Sequence, residues 1–269
     1  MVDFTQKAQY TVEDLRRIVA LLRAPGGCPW DGAQTHESIR RNFIEEAYEV
    51  AEAIDEQSPA HLKEELGDVL LQVVFHASLE EDAGRFDLDD VADGICKKLI
   101  FRHPHVFGGT MQADTSEQVL VNWEALKRKE KGQRSTADAV EAVPHTLPAL
   151  WRAEKIQSKT AKAGFDWSGA LSALDKLEEE VRELREALES GAGADSPHGV
   201  REEVGDALFI AAKIAQMSGV DPEDALHRAC DKFDSRFRKV EQLADKPLGE
   251  YSEPELVELW KAAKEQDPS

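Results

Sequence analysis

Cysteine is scarce in this chain of 269 residues: the three present, Cys28, Cys96 and Cys230, lie far apart and form no Cys-x-x-Cys pair. That argues against a disulfide framework and a thiolate zinc site, and the expected setting is a reducing cytoplasm. Long apolar runs are missing too. The opening MVDFTQKAQY has no apolar signal core, and the stretch from Val69 to Phe75 is too short to span a bilayer, so no membrane association is expected. Positive charge is in deficit, with 33 Lys and Arg against 53 Asp and Glu and a formal net charge of −20, which argues against binding a nucleic-acid polymer. No GxxxxGK stretch exists for a P-loop, and no glutamate stands three residues before a histidine as a di-iron carboxylate bundle requires. The eight histidines are scattered rather than grouped as a His-Asp phosphohydrolase needs; His103 and His105 flank Pro104 and read as a turn.

What is present is a chain with 41% hydrophobic residues, enough for a core, arranged almost everywhere at three- and four-residue spacing. The fold class expected is all-α. Phe43, Ala47, Val50, Ala51 and Ile54 make one stripe, and Leu62, Leu66, Val69, Leu70, Val73 and Ala77 another after Pro59, so these two helices are expected to pair as a hairpin. Polar residues and two prolines between Gly132 and Pro148 mark a linker, 132–148, between an N-terminal helical repeat, 1–131, and a C-terminal one, 149–269.

Four features recur in the same order in both halves. Glu45-Glu46-Ala47-Tyr48-Glu49 matches Glu179-Glu180-Val181-Arg182-Glu183, and Lys63-Glu64-Glu65-Leu66-Gly67-Asp68 matches Arg201-Glu202-Glu203-Val204-Gly205-Asp206. Lys98 and Arg102 match Lys232 and Arg236, and Trp123 and Lys127 match Trp260 and Lys264. Helical residues three apart are neighbours, so Glu46 with Glu49 and Glu65 with Asp68 form two carboxylate pairs, as do Glu180 with Glu183 and Glu203 with Asp206. At about 1.5 Å per residue on either side of the Ser58 turn, the pairs reach similar heights in an antiparallel hairpin and can converge.

Converging carboxylates repel unless a hard divalent cation joins them, and all-oxygen ligation selects Mg²⁺, Mn²⁺ or Ca²⁺. A solvated acidic helix face is the simpler reading of any single Glu-Glu-x-x-Glu. It gives no reason for the pattern to appear twice, nor for Gly67 and Gly205 inside helices, which suggest close helix packing beside the acids. Lys98, Arg102, Lys232 and Arg236 could meet phosphate oxygens or form ordinary helix salt bridges. Trp123 and Trp260 could stack on a base or belong to the core. A helical adaptor with acidic interaction faces and no catalysis is the alternative to an enzyme.

These motifs, with Cys28-Pro29-Trp30-Asp31, Arg102-His103-Pro104-His105-Val106-Phe107 and Gly164-Phe165-Asp166-Trp167, resemble the MazG family of all-α nucleoside triphosphate pyrophosphohydrolases over nearly the whole chain. The resemblance implies a Mg²⁺-dependent homodimer, with Mn²⁺ a possible substitute, that cleaves nucleoside triphosphates between the α and β phosphates to the monophosphate and pyrophosphate. It implies metal ligands Glu46, Glu49, Glu65 and Asp68 in the first repeat and Glu180, Glu183, Glu203 and Asp206 in the second. Lys176, Lys232, Arg236, Trp260 and Lys264 would hold the nucleotide, with Lys98, Arg102, Trp123 and Lys127 as first-repeat counterparts. Glu179, with Glu45 its counterpart, is the candidate to orient or deprotonate water, or else a further ligand. Asn42 stands where Lys176 stands in the second half, which makes the C-terminal repeat the expected main catalyst. Gly199 departs from the family's lysine, leaving Arg201, or Lys63 in the first half, as the substitute.

Overall fold

The computed structural model describes residues 4–108, 115, 118, 126, 132, 134–191, 193–194 and 196–266. Among them every regular element is helical and no strand occurs, so the fold is all-α. The chain divides into two units, Met1–Lys127 and Arg128–Ser269.

The first unit holds α1 (Val12–Arg23), the short α2 (Pro29–Gly32), α3 (His36–Asp55), α4 (Pro59–Asp82), α5 (Leu88–Arg102) and the short α6 (Pro104–Phe107). Thr35 starts α3 through a capping box with Ser38, and Ser58 caps α4 ahead of Pro59 at its first turn, where proline's missing N–H costs nothing. Between them Gln57 adopts φ 53°, closing the turn so that α3 and α4 run antiparallel in contact, the expected hairpin. Its core is small: Val19 of α1, Ile39 of α3, and Val74 and Phe75 of α4, flanked by Leu15, Leu71, Leu79 and Leu88. The expected apolar stripes bury only in part. Leu66 and Leu70 are exposed because α1 covers only the C-terminal half of α4, and Ile54 near the end of α3 is exposed as well.

The second unit holds α7 (Thr136–Glu141), α8 (Ala149–Lys162), α9 (Ala170–Ser190), α10 (Val200–Met217), α11 (Pro222–Leu243), a single 3-10 turn at Leu248–Glu250 and α12 (Glu253–Glu265). Helices α9 and α10 form the second hairpin, with α8 packed on α10 and α11, and α12 on α11. Gly191 ends α9 in the left-handed region at φ 64°, where a side chain would be strained. The stretch 132–148 packs as well as joins: α7 lies within it, and Ala139 and Val143 are buried.

Candidate functional site

Each hairpin draws its acidic residues together. In the first, Glu46, Glu49 and Glu65 place carboxylate oxygens within 4.8 Å of one another; in the second, Glu180, Glu203 and Asp206 do the same. Asp68 and Glu183 stand just outside these triplets but within electrostatic reach, Asp68 of Glu46 and Glu65, and Glu183 of Glu203. The glutamates at the hairpin seams are buried: Glu65 is 8% exposed, Glu180 5% and Glu203 3%.

Burial has an electrostatic consequence. Glu46 is pushed above the usual carboxylate range by desolvation and then by Asp68 and Glu49, and Glu65 by desolvation and then by Glu49. Desolvation and then Glu183 and Glu180 raise Glu203, and desolvation followed by Glu180 raises Asp206. Glu46, Glu65, Glu203 and Asp206 therefore bind protons more tightly than free carboxylates do. A divalent cation satisfies the same deficit, and a donor set made only of carboxylate oxygens suits Mg²⁺ or Mn²⁺.

The clusters differ in the cation already beside them. Lys176 Nζ lies 2.7 Å from Glu180 Oε1 and 3.0 Å from Glu179 Oε1, so it bridges the two adjacent glutamates. Those contacts hold its own pKa well above the usual lysine value, Glu180 first and Glu179 second. In the first unit the lysine's position is Asn42, and the basic partner comes from the other helix: His61 Nε2 is 3.2 Å from Glu65 Oε1, and its Nδ1 is 2.8 Å from Glu56 Oε2. His61 was missed by sequence reasoning, although a histidine four residues before a glutamate on one helix is a readable signal. In the second unit His198, at φ 55°, comes to 3.8 Å from Glu203 and forms with it and Glu202 a further set of potential ligands.

Glycine placement corrects one expectation and explains a departure. A Cβ built at Gly67 or Gly205 meets nothing within 4 Å, so neither glycine serves close helix packing within its unit. At Gly199 it would lie 2.6 to 2.9 Å from the carbonyl oxygens of Gly193, Ser196 and Ala194. No lysine fits there beside these three carbonyl oxygens.

The remaining expected residues lie off the hairpin seams. Lys98 and Arg102 are on α5, Lys232 and Arg236 on α11, and Lys264 on α12, whereas Lys176 touches the second cluster directly. Arg201 opens α10 beside Glu202. Trp260 tilts against Phe233 at 5.2 Å between ring centroids, within the contact of α11 with α12. Glu45 is held by Arg41, Nε to Oε1 2.6 Å. His103 caps α5, its Nδ1 2.7 Å from the Leu99 carbonyl oxygen, as a turn residue would. Trp123 and Lys127 lie outside the described residues.

Comparison with known proteins adds independent findings. The family model for the MazG nucleotide pyrophosphohydrolase domain matches residues 34–107 and again residues 169–241, spanning both acidic hairpins. The chain is 42% identical over 262 residues to the nucleoside triphosphate pyrophosphohydrolase/pyrophosphatase MazG of Thermotoga maritima, covering 96% of this chain and 98% of that one. It is 39% identical over 260 residues to the nucleoside triphosphate pyrophosphohydrolase of Escherichia coli, covering 95% and 98%. To the uncharacterized protein YabN of Bacillus subtilis it is 43% identical over 253 residues, 93% of this chain and 51% of that protein.

Proposed function

This chain belongs to the MazG family, carrying its nucleotide pyrophosphohydrolase domain twice, and from that membership we propose that it is a nucleoside triphosphate pyrophosphohydrolase. A water oxygen bonds to the α-phosphorus, the bond from that phosphorus to the α–β bridging oxygen breaks, and the monophosphate and pyrophosphate leave. The observation that carries the reading is the pair of carboxylate clusters, each built around buried glutamates, Glu65 in one and Glu180 with Glu203 in the other.

Glu180, Glu183, Glu203 and Asp206 would hold Mg²⁺ in the second unit, and Glu46, Glu49, Glu65 and Asp68 in the first. When bound there, the ion supplies charge neutralisation for the triphosphate and a water of lowered pKa. The chain's own groups do the rest. Lys176 pairs with both Glu180 and Glu179, and Glu179 would take the water's proton; in the first unit Glu45, paired with Arg41, would be its counterpart. Lys176 would also supply a permanent positive charge beside the departing pyrophosphate. In the first unit Asn42 takes the lysine's place and His61, charged only when protonated, lies beside Glu65, which supports the C-terminal repeat as the main catalyst.

The protein works as a homodimer in this reading. Leu174, Val181 and Leu188 are exposed on α9 at seven-residue steps, and Val91, Ile95 and Leu99 at four-residue steps on α5, which buries none of its residues. Apolar stripes of this kind are seams for another helix. Pyrophosphate release from a nucleoside triphosphate, measured with and without Mg²⁺, tests the activity. The helical-adaptor alternative predicts no release and no effect of Glu180→Ala with Glu203→Ala beyond a lost acidic surface.

A further inference from the structure

A histidine borders the second acidic cluster without belonging to it. His198 lies just ahead of α10, its backbone N–H donating to Glu202 Oε2 at 2.7 Å. Its imidazole, with Glu202 and Glu203, offers ligand atoms that all lie within 4.8 Å of one another. Glu180, Glu203 and Asp206 make the neighbouring set, so Glu203 belongs to both. Glu203 also lacks a partner. It is 3% exposed and its carboxylate accepts no hydrogen bond from a described residue, with His198 Nδ1 at 3.8 Å, beyond hydrogen-bond reach. Neither ring nitrogen of His198 is hydrogen-bonded to a described residue. A buried carboxylate with no donor, facing an imidazole with a lone pair, suits a cation that both can ligate.

Two ligands each about 2.1 Å from one ion stand about 3 to 4 Å apart, so 3.8 Å leaves room for a metal where it is too wide for a shared proton. Imidazole nitrogen shifts the preference from Mg²⁺ toward first-row ions such as Co²⁺ and Zn²⁺. We propose that His198, Glu202 and Glu203 form a second metal position in the C-terminal unit, for a divalent transition-metal ion, and that Glu203 bridges it to the all-carboxylate position of Glu180 and Asp206. The first unit has no counterpart. Counting back from Glu65 as from Glu203, Ala60 stands at the place of His198, and His61 after it has both nitrogens engaged, Nδ1 by Glu56 and Nε2 by Glu65. An ion at His198 would add positive charge beside the triphosphate. That part rests on the pyrophosphohydrolase reading above, whereas the binding of metal does not.

Calorimetric titration of the full chain with Co²⁺ in a large excess of Mg²⁺ tests the assignment, with proton NMR of the Co²⁺ form as a second readout. Mg²⁺ holds the all-carboxylate positions, so wild type is expected to take up one Co²⁺ per chain, displaced by Zn²⁺, and to show a paramagnetically shifted, exchangeable imidazole N–H. His198→Gly removes the imidazole at a side chain that is 87% exposed and accepts the φ of 55° there, so it keeps the helical circular dichroism. It loses the shifted resonance and weakens Co²⁺ binding by about tenfold or more, and Glu202→Ala weakens it as much. His198→Asp restores binding of an ion without the resonance and without the preference for Co²⁺ over Mg²⁺. Unchanged Co²⁺ uptake and resonance in His198→Gly overturn the proposal, as does a wild type that binds no Co²⁺ in excess Mg²⁺. Pyrophosphate release measured in parallel separates the two claims. If no triphosphate is cleaved while His198→Gly still loses the ion, the metal position stands and the functional reading fails; if wild type releases pyrophosphate but holds no Co²⁺ at His198, this inference alone falls.

Discussion

Glu203 and Glu180 are buried acids facing other acids, an arrangement that a bound divalent cation would relieve. Glu203→Ala and Glu180→Ala are each expected to lower Mg²⁺-dependent pyrophosphate release by about a hundredfold or more while leaving the helical circular dichroism intact. The corresponding changes at Glu46 and Glu65 should reduce it far less, because their repeat lacks the lysine; equal losses in the two repeats contradict the assigned asymmetry. Glu179→Gln should lower kcat with little effect on KM if the residue takes the water's proton. At this scale the sequence carried much of the information, since three-residue spacing on a helix fixes which carboxylates are neighbours. It did not carry the cations' choice of partner. Lys176 bridging two glutamates, His61 reaching Glu65 and the carbonyls crowding Gly199 all depend on side-chain conformation and turn shape, for which spacing is silent.

Two polar clusters outside the acidic site hold the helices that carry it. In the first unit His36 on α3 meets His76 on α4, Nδ1 to Nδ1 2.7 Å, and its Nε2 lies 2.6 Å from Glu80, to which Arg85 also donates. Arg85, and after it His36, outweigh burial to bring Glu80 down from 4.5 to about 2. That stability is present above pH 4.5 and lost as pH falls toward about 2. Burial, and then His36, depress His76 below 6.5, so the folded unit binds fewer protons here than the unfolded chain; this stability is present above pH 6.5 and lost as pH falls below it. Melting temperatures on either side of pH 6.5 should therefore fall on the acid side, and His76→Phe should flatten that step; an unaltered step assigns it elsewhere. In the second unit Lys213, 1% exposed, donates to Asp166 at 2.6 Å and to Gln216 at 2.8 Å. Asp166→Ala leaves that charge buried without its carboxylate and is expected to cost about 3 kcal/mol in denaturant unfolding. The helices and the hairpins were legible from apolar period, caps and prolines. The extent of burial was not, because it depends on which neighbour covers each face, and α1 covers only half of α4.

At the scale of the molecule the same acidic hairpin was built twice and then differentiated, Lys176 marking one copy and Asn42 with His61 the other. The exposed stripe Leu174, Val181 and Leu188 predicts a dimer in solution, which Val181→Glu should convert to monomer in sedimentation; a wild-type monomer contradicts the stripe's assigned role. The repeat itself was plain in the sequence because it is a pattern of residue identities, whereas the packing role of the stretch 132–148 was hidden by its polar, proline-containing composition. The central claim is that these clusters direct cleavage between the α and β phosphates. Phosphorus NMR of the products formed from a nucleoside triphosphate with Mg²⁺ tests it most directly: the account predicts monophosphate and pyrophosphate in equal amounts, abolished by Glu180→Ala with Glu203→Ala, and diphosphate with orthophosphate, or an intact triphosphate, would contradict it.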